Sequence, residues 1–255
     1  MNKQEVSFKS DNLNLYGELY LPDTPDLAKP ALIICHGIPA VPYNPSERGY
    51  ALLAEKFCTS GFITFIFNFR GAGLSQGNLD LAGWIHDLRA AIDFFFTLDE
   101  VKQSRLALLG SSGGAAVSVC VAANDPRVST LVTLACPADF DFLTRNQAEK
   151  LIAHFRSIGV IRDADFPQSA KRWQEGFATV SPIRYIHHVS PRPLLLIHGD
   201  QDTTVPVAHA HRLYQQAKEP KELVIITGAG HRLRLEARAV DTALDWLRSL
   251  QLTIG

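Results

Sequence analysis

Leu106-Ala107-Leu108-Leu109-Gly110-Ser111-Ser112-Gly113-Gly114-Ala115-Ala116 is the stretch on which the rest of the chain turns. An apolar run ends in a knot of very small residues, and Val117 to Ala123 then suits a helix. The order is strand, tight turn, helix. The turn spells G-x-S-x-G around Ser112. A serine at the centre of so sharp a turn is forced into a strained backbone conformation that lifts its hydroxyl clear of the sheet. Gly110 and Gly114 stand two residues to either side, where a side chain would collide as the helix folds back along the strand. Ser111 lacks that framing, because its equivalent neighbours are Leu109 and Gly113.

Similar apolar runs flank this unit on both sides. Ala31 to Cys35 and Phe62 to Phe67 read as buried strands of a covered parallel sheet, and Arg105 to Leu109, Val128 to Leu134, Pro193 to Ile197 and Glu222 to Thr227 as further apolar strands. Helical patterns separate them. Gly49 to Ser60 carries Leu52, Leu53, Phe57 and Cys58 on one face, and Trp84 to Leu98 carries Leu88, Ala91, Ile92 and Phe95. Val207 to Ala217 and Ala237 to Leu250 follow, the latter with Val240, Ala243, Leu244 and Leu247 inward. Upstream, Val6 to Phe8 and Leu13 to Leu21 alternate apolar and polar residues about Ser10-Asp11-Asn12, a hairpin signal. Pro22 to Pro30 reads as a polar loop. The expectation is an α/β fold with a mostly parallel central sheet of about eight strands, flanked by helices.

Pro137 to Ser190 breaks the rhythm. Two helical patterns, Asn146 to Ile158 and Ser169 to Phe177, have no buried strand between them, and aromatic residues are dense. This segment is expected to be a small helical cap insertion, 137–190, folded over the edge of a core made of 1–136 and 191–255.

A length of 255 residues, 46% of them hydrophobic, suits one large α/β domain or two small ones. The formal net charge is −1, with acids and bases interspersed, so neither a nucleic-acid partner nor an acidic binding arm is expected. The start of the chain, Met1-Asn2-Lys3-Gln4-Glu5, has no hydrophobic signal region, and the apolar runs are too short to span a bilayer. A cytoplasmic protein without a membrane partner is expected. Cys35, Cys58, Cys120 and Cys136 form no C-x-x-C pair and sit in apolar settings, as buried reduced thiols do.

A serine hydroxyl becomes a good nucleophile only when a base takes its proton. Histidine is the usual base, and a carboxylate fixes its tautomer and stabilises the imidazolium. In an open parallel sheet such groups belong on loops at the carboxyl ends of strands. Three loops supply them: Ser112, then Asp202, then His231. Asp200 is a rival for the acid, and Asp139 and Asp141 are weaker ones.

With these residues on the page, the chain resembles α/β-hydrolase-fold proteins from about Val6 to Leu250. The matching motifs are His36-Gly37-Ile38-Pro39, Arg70-Gly71-Ala72-Gly73-Leu74-Ser75, Gly110 to Gly114, His198-Gly199-Asp200-Gln201-Asp202-Thr203-Thr204-Val205-Pro206 and Gly230-His231. Ser181-Pro182-Ile183 to Pro206 is especially similar to the dienelactone-hydrolase-like and prolyl-oligopeptidase-like serine-peptidase branches. The resemblance implies a Ser-His-Asp triad with Asp202 as its acid. It also implies an oxyanion hole from the backbone N–H groups of Ile38 and Gly113, and a cap above the elbow. Tyr43, Phe140, Trp173 and Phe177 are then candidates to line a substrate pocket. The implied activity is cleavage of a carboxylic ester through an acyl-enzyme, with no metal and no cofactor, on a small-molecule ester or short acyl substrate. A peptidase or amidase on short peptides is the alternative, and a catalytically silent binding protein is a third reading. A homodimer is left open.

Other motifs read as structural. The glycine loop Gly71 to Gly77 lacks G-x-G-x-x-G spacing and a following acidic strand end, against a nucleotide site. Arg70 and Asp87 are expected to form an ion pair near it. His36 and His198 close strands and are expected to bond backbone groups.

Overall fold

The computed structural model describes residues 1–23, 29–101, 105–144 and 147–252. Most of the expected Pro22 to Pro30 loop, and Asn146 at the expected start of a cap helix, lie outside the described residues. Eight strands among the described residues make one sheet: β1 (Asn2–Ser10), β2 (Leu13–Leu21), β3 (Ala31–Cys35), β4 (Ile63–Phe67), β5 (Leu106–Ser111), β6 (Val128–Leu134), β7 (Leu194–Gly199) and β8 (Lys221–Ile226). Their order is β1-β2-β4-β3-β5-β6-β7-β8. β1 pairs with β2, and β2 with β4, antiparallel. All later pairings are parallel. This is the mostly parallel, helix-flanked α/β sheet expected from the strand pattern.

The central strands β3, β5 and β7 are buried on both faces because both faces are covered, whereas the edge strand β8 is mostly half-exposed. Along β3, Ala31, Ile33 and Cys35 enter one core cluster while Leu32 and Ile34 enter the other. β5 divides in the same way, with Leu106 and Leu108 on one side and Ala107 and Leu109 on the other. This is the two-residue period of a strand. The first face packs against α2 (Leu81–Phe95), α3 (Gly113–Ala122) and α7 (Ala208–Gln216). The second packs against α1 (Gly49–Thr59) and α8 (Ala237–Leu252). Phe65, Trp84 and Phe95 are fully buried on the first face, each contributing about 2–3 kcal/mol by transfer from water.

The inward faces expected for α2 and α8 are those observed. Helix α1 needs one correction. Its buried side is Leu53, Ala54, Phe57 and Cys58, while Leu52 is 53% exposed. An apolar residue one step off the i, i+4 stripe points away from the sheet. Helix α3 starts at Gly113, four residues before the sequence signal at Val117. Every residue of α3 is buried, so no polar face marks it, and packing overrides the low helix propensity of its glycines.

Within 137–190 the described elements are α4 (Asp141–Thr144), α5 (Ala148–Ser157), α6 (Ala170–Thr179) and two 3₁₀ turns, Pro182–Arg184 and Ile186–His188. This segment is fastened to the glycine loop and the start of α2. Arg162 donates to the carbonyls of Ser75 (2.6 Å), Gly71 (3.3 Å) and Gly73 (2.9 Å). The Leu79 N–H donates to Val160 O at 2.8 Å, and the Trp173 indole N–H donates to Leu79 O at 2.8 Å. Arg70 and Asp87 form the expected ion pair, at 2.7 Å, with the Asp87 side chain fully buried. No helix among the described residues is long and apolar enough to cross a membrane.

The strand order reverses between β3 and β5, which lie side by side while their following helices go to opposite faces. A crevice opens at such a switch point, outside the carboxyl ends of the strands. Ile38 follows β3 and Ser112 follows β5, so both stand at that crevice.

Candidate active site

Ser112 has φ 52° and ψ −119°, between the last residue of β5 and the first of α3. A non-glycine residue in such a region costs about 1–3 kcal/mol and persists only where its surroundings dictate it. Here the Ser112 N–H donates to Leu134 O at 2.8 Å, and Ser112 O accepts from the Ala116 N–H at 3.1 Å. The flanking glycines allow the reversal. A Cβ at Gly110 would stand 2.4 Å from Ala115 Cα, and one at Gly114 would stand 2.2 Å from His36 O. No side chain fits at either distance.

Two other strand ends bring their side chains to the same place. His231, after β8, has Nε2 3.0 Å from Ser112 Oγ. Its Nδ1 lies 2.7 Å from Asp202 Oδ2. A carboxylate only accepts hydrogen bonds, so Nδ1 carries the proton and Nε2 presents its lone pair to the serine. Asp202, after β7, is itself tightly held. Its Oδ1 accepts from the N–H groups of Thr204 (2.9 Å) and Val205 (2.8 Å). Its side chain is fully buried, and His198 Nε2 lies 3.4 Å from Oδ2. Burial pushes the Asp202 carboxyl up, but hydrogen bonds from His198, His231 and the Val205 N–H outweigh it and hold the group well below the ordinary carboxylate range. Asp202 is therefore an anion at neutral pH.

The rival acids are occupied elsewhere. Asp200 Oδ1 accepts from the Gly228 N–H at 2.7 Å, bracing the loop before His231. Asp139 pairs with Arg212 at 2.7 Å, and Asp141 lies in α4 beside it.

Beside Ser112, a Cβ at Gly113 would stand 3.4 Å from Ile38 N, and one at Gly37 would stand 3.1 Å from Ser112 Cβ. The loop after β3 thus lies directly on the elbow. Neither the Ile38 nor the Gly113 N–H has an acceptor among the described residues. Two free backbone donors flanking a serine can stabilise negative charge that develops on an attacked carbonyl.

The expected pocket aromatics are placed differently. Phe177 is fully buried and Trp173 is 5% exposed, their ring centroids 4.9 Å apart. Phe140 packs edge-on to Phe177 at 5.5 Å. These three rings pack on one another within the 137–190 segment. Tyr43 stands 54% exposed on the loop after β3. A depression of about 350 Å³ borders His231, lined also by Gly230, Arg232, Leu235 and Glu236.

His36 and His198 bond backbone groups as expected. His198 Nε2 lies 2.8 Å from Val205 O. His36 Nε2 accepts from the Phe69 N–H at 3.0 Å, which leaves Nδ1 to donate to Gly37 O at 2.7 Å. Burial against Phe69 and Trp84 lowers the His36 imidazole to about 4. Because the folded value lies below the ordinary ~6.5, the unfolded chain takes up this proton first. The stabilising contribution is complete above pH ~6.5 and is lost as pH falls toward 4, by up to about 3 kcal/mol at ~1.4 kcal/mol per unit. Urea unfolding at pH 7 and pH 4.5 is expected to show this loss in the parent protein and a smaller loss in His36→Gln.

Comparison with known proteins agrees with this architecture. The model of the prolyl oligopeptidase family matches residues 50–251. The uncharacterized protein YfhR of Escherichia coli O157:H7 is 33% identical over 170 residues, covering 67% of this chain and 53% of its own length. The chain thus spans about half the length of such curated relatives. The α/β hydrolase GrgF from Penicillium sp. sh18 is similar with a TM-score of 0.76 at 22% identity, covering 98% of this chain and 97% of its own. Est1E from Butyrivibrio proteoclasticus is similar with a TM-score of 0.71 at 19% identity, covering 98% of both chains. At those identities the structural likeness carries the fold, and the family match carries membership: the chain has the α/β-hydrolase fold and belongs to the prolyl oligopeptidase family.

Proposed function

We propose that the protein is a serine hydrolase that cleaves carboxylic esters through an acyl-enzyme. The observation that supports this reading is the continuous relay from Asp202 to His231 to Ser112, with hydrogen bonds of 2.7 and 3.0 Å. Ser112 Oγ attacks the ester carbonyl as its proton passes to His231 Nε2. The imidazolium so formed is stabilised by the Asp202 carboxylate. The tetrahedral oxyanion takes hydrogen bonds from the Ile38 and Gly113 N–H groups, each worth roughly 10²–10³ in turnover. The C–O bond to the leaving alcohol breaks, and His231 returns its proton to that oxygen. Water then attacks the acyl group with His231 again as base, releasing the acid and restoring Ser112.

Family membership favours a second reading, in which the scissile bond is the amide of a short peptide. The two share their chemistry and differ in the leaving group. Turnover of p-nitrophenyl esters of increasing acyl length beside aminoacyl p-nitroanilides separates them. Ester turnover that exceeds anilide turnover at every length supports the esterase. Anilide turnover without ester turnover overturns it in favour of the peptidase.

A further inference from the structure

The hydrolase reading leaves one half-buried polar side chain beside the site without a role. Tyr50 is the second residue of α1 and lies behind the loop after β3. Its hydroxyl accepts a hydrogen bond from the Gly37 N–H at 3.0 Å. That bond ties the start of α1 to the β3 loop, which carries Ile38, one of the two donors of the candidate oxyanion hole.

The other end of Gly37 is held as well. Its carbonyl accepts from His36 Nδ1 at 2.7 Å. That carbonyl belongs to the same planar peptide unit as the Ile38 N–H, and in a trans peptide the C=O and N–H point in opposite directions. Fixing the carbonyl therefore aims the Ile38 N–H. The Phe69 N–H at 3.0 Å from His36 Nε2 sets the tautomer that makes this possible. The His36 and Tyr50 rings sit edge to face, 6.1 Å apart.

We infer that Tyr50 and His36 clamp Gly37 at its N–H and its carbonyl, and so fix where the Ile38 N–H points relative to the Gly113 N–H. Both are positioning residues; neither touches substrate. The inference rests on the hydrolase reading above. A donor pair stabilises an oxyanion only when both N–H groups lie about 2.7–3.1 Å from the same oxygen. Loosening one loop relative to the other lowers transition-state stabilisation while leaving ground-state binding alone.

The test is Tyr50→Phe, which removes the oxygen and keeps the ring. The assay is p-nitrophenyl acetate hydrolysis, normalised to active sites titrated with a fluorophosphonate. For Tyr50→Phe the expected result is about a tenfold fall in kcat with KM within about twofold. The affinity for a phenylboronic acid, which forms a tetrahedral adduct on a nucleophilic serine, is expected to fall by a similar factor. A kcat per titrated site within twofold of the parent, or equal losses in kcat and in substrate binding, overturns the clamp alone. A parent protein that the fluorophosphonate does not label overturns the hydrolase reading, and the clamp with it.

Discussion

Replacing Ser112 with alanine is expected to lower ester turnover by about 10⁶, to the level left by binding and backbone donors alone. The relay then has no atom to activate, whereas the fold loses only one hydroxyl that contacts His231. Ser112→Gly is expected to be equally inactive but to differ in stability. At φ 52° alanine keeps the strain of the elbow, and glycine removes it. Part of that gain is cancelled by the greater freedom of glycine in the unfolded chain. The glycine variant should exceed the alanine variant by roughly 1 kcal/mol in urea unfolding. Retention of turnover in Ser112→Ala would contradict the account. Equal stability of the two variants would contradict the strain argument.

The second large effect is expected at Asp202. In Asp202→Asn the side chain keeps its shape but loses its charge, and it no longer dictates that His231 Nδ1 carries the proton. A loss of about 10⁴ in kcat is expected. Asp200→Asn is expected to stay within a few-fold of the parent. Among the described residues the Asp200 carboxylate accepts from the Gly228 N–H, and the amide oxygen of asparagine can accept the same bond. The pair of variants therefore decides between two aspartates two positions apart. A pH effect accompanies it. The folded-state value of Asp202 is depressed, so its contribution to stability is present above the ordinary carboxylate range and is lost as pH falls through it. Asp202→Asn should flatten that part of the acid limb in unfolding measured from pH 6 downward.

Where groups follow directly on strands, the chain could be read in order. Ser112, Asp202 and His231 each stand within a few residues of a buried apolar run, and a parallel sheet delivers all such positions to one edge. The elbow was legible for a further reason: Gly110 and Gly114 are the only residue type that its two close approaches admit. What the residues did not reveal depends on contacts between distant segments. Phe140, Trp173 and Phe177 looked like pocket walls because aromatic density says nothing about which way rings face. In the fold they pack on one another and on residues that begin α2. Arg162, which ties its segment to three carbonyls of the glycine loop, carried no local signal at all. Tyr50 did carry one. It stands at helix spacing with Leu53, Ala54 and Phe57, so its ring had to turn inward at the end of α1 nearest the strand ends. Its partner, Gly37, lies in another segment, and only the folded chain brings it to the Tyr50 hydroxyl.

The central claim is that Ser112 is the nucleophile, and covalent labelling tests it most directly. The protein is treated with a fluorophosphonate, digested, and its peptides are weighed. The account predicts one added phosphonyl group per chain on the peptide that contains Ser112, fragmenting to Ser112 and not to Ser111, with no label in Ser112→Ala. An unlabelled parent protein, or a label on any other residue, would contradict it.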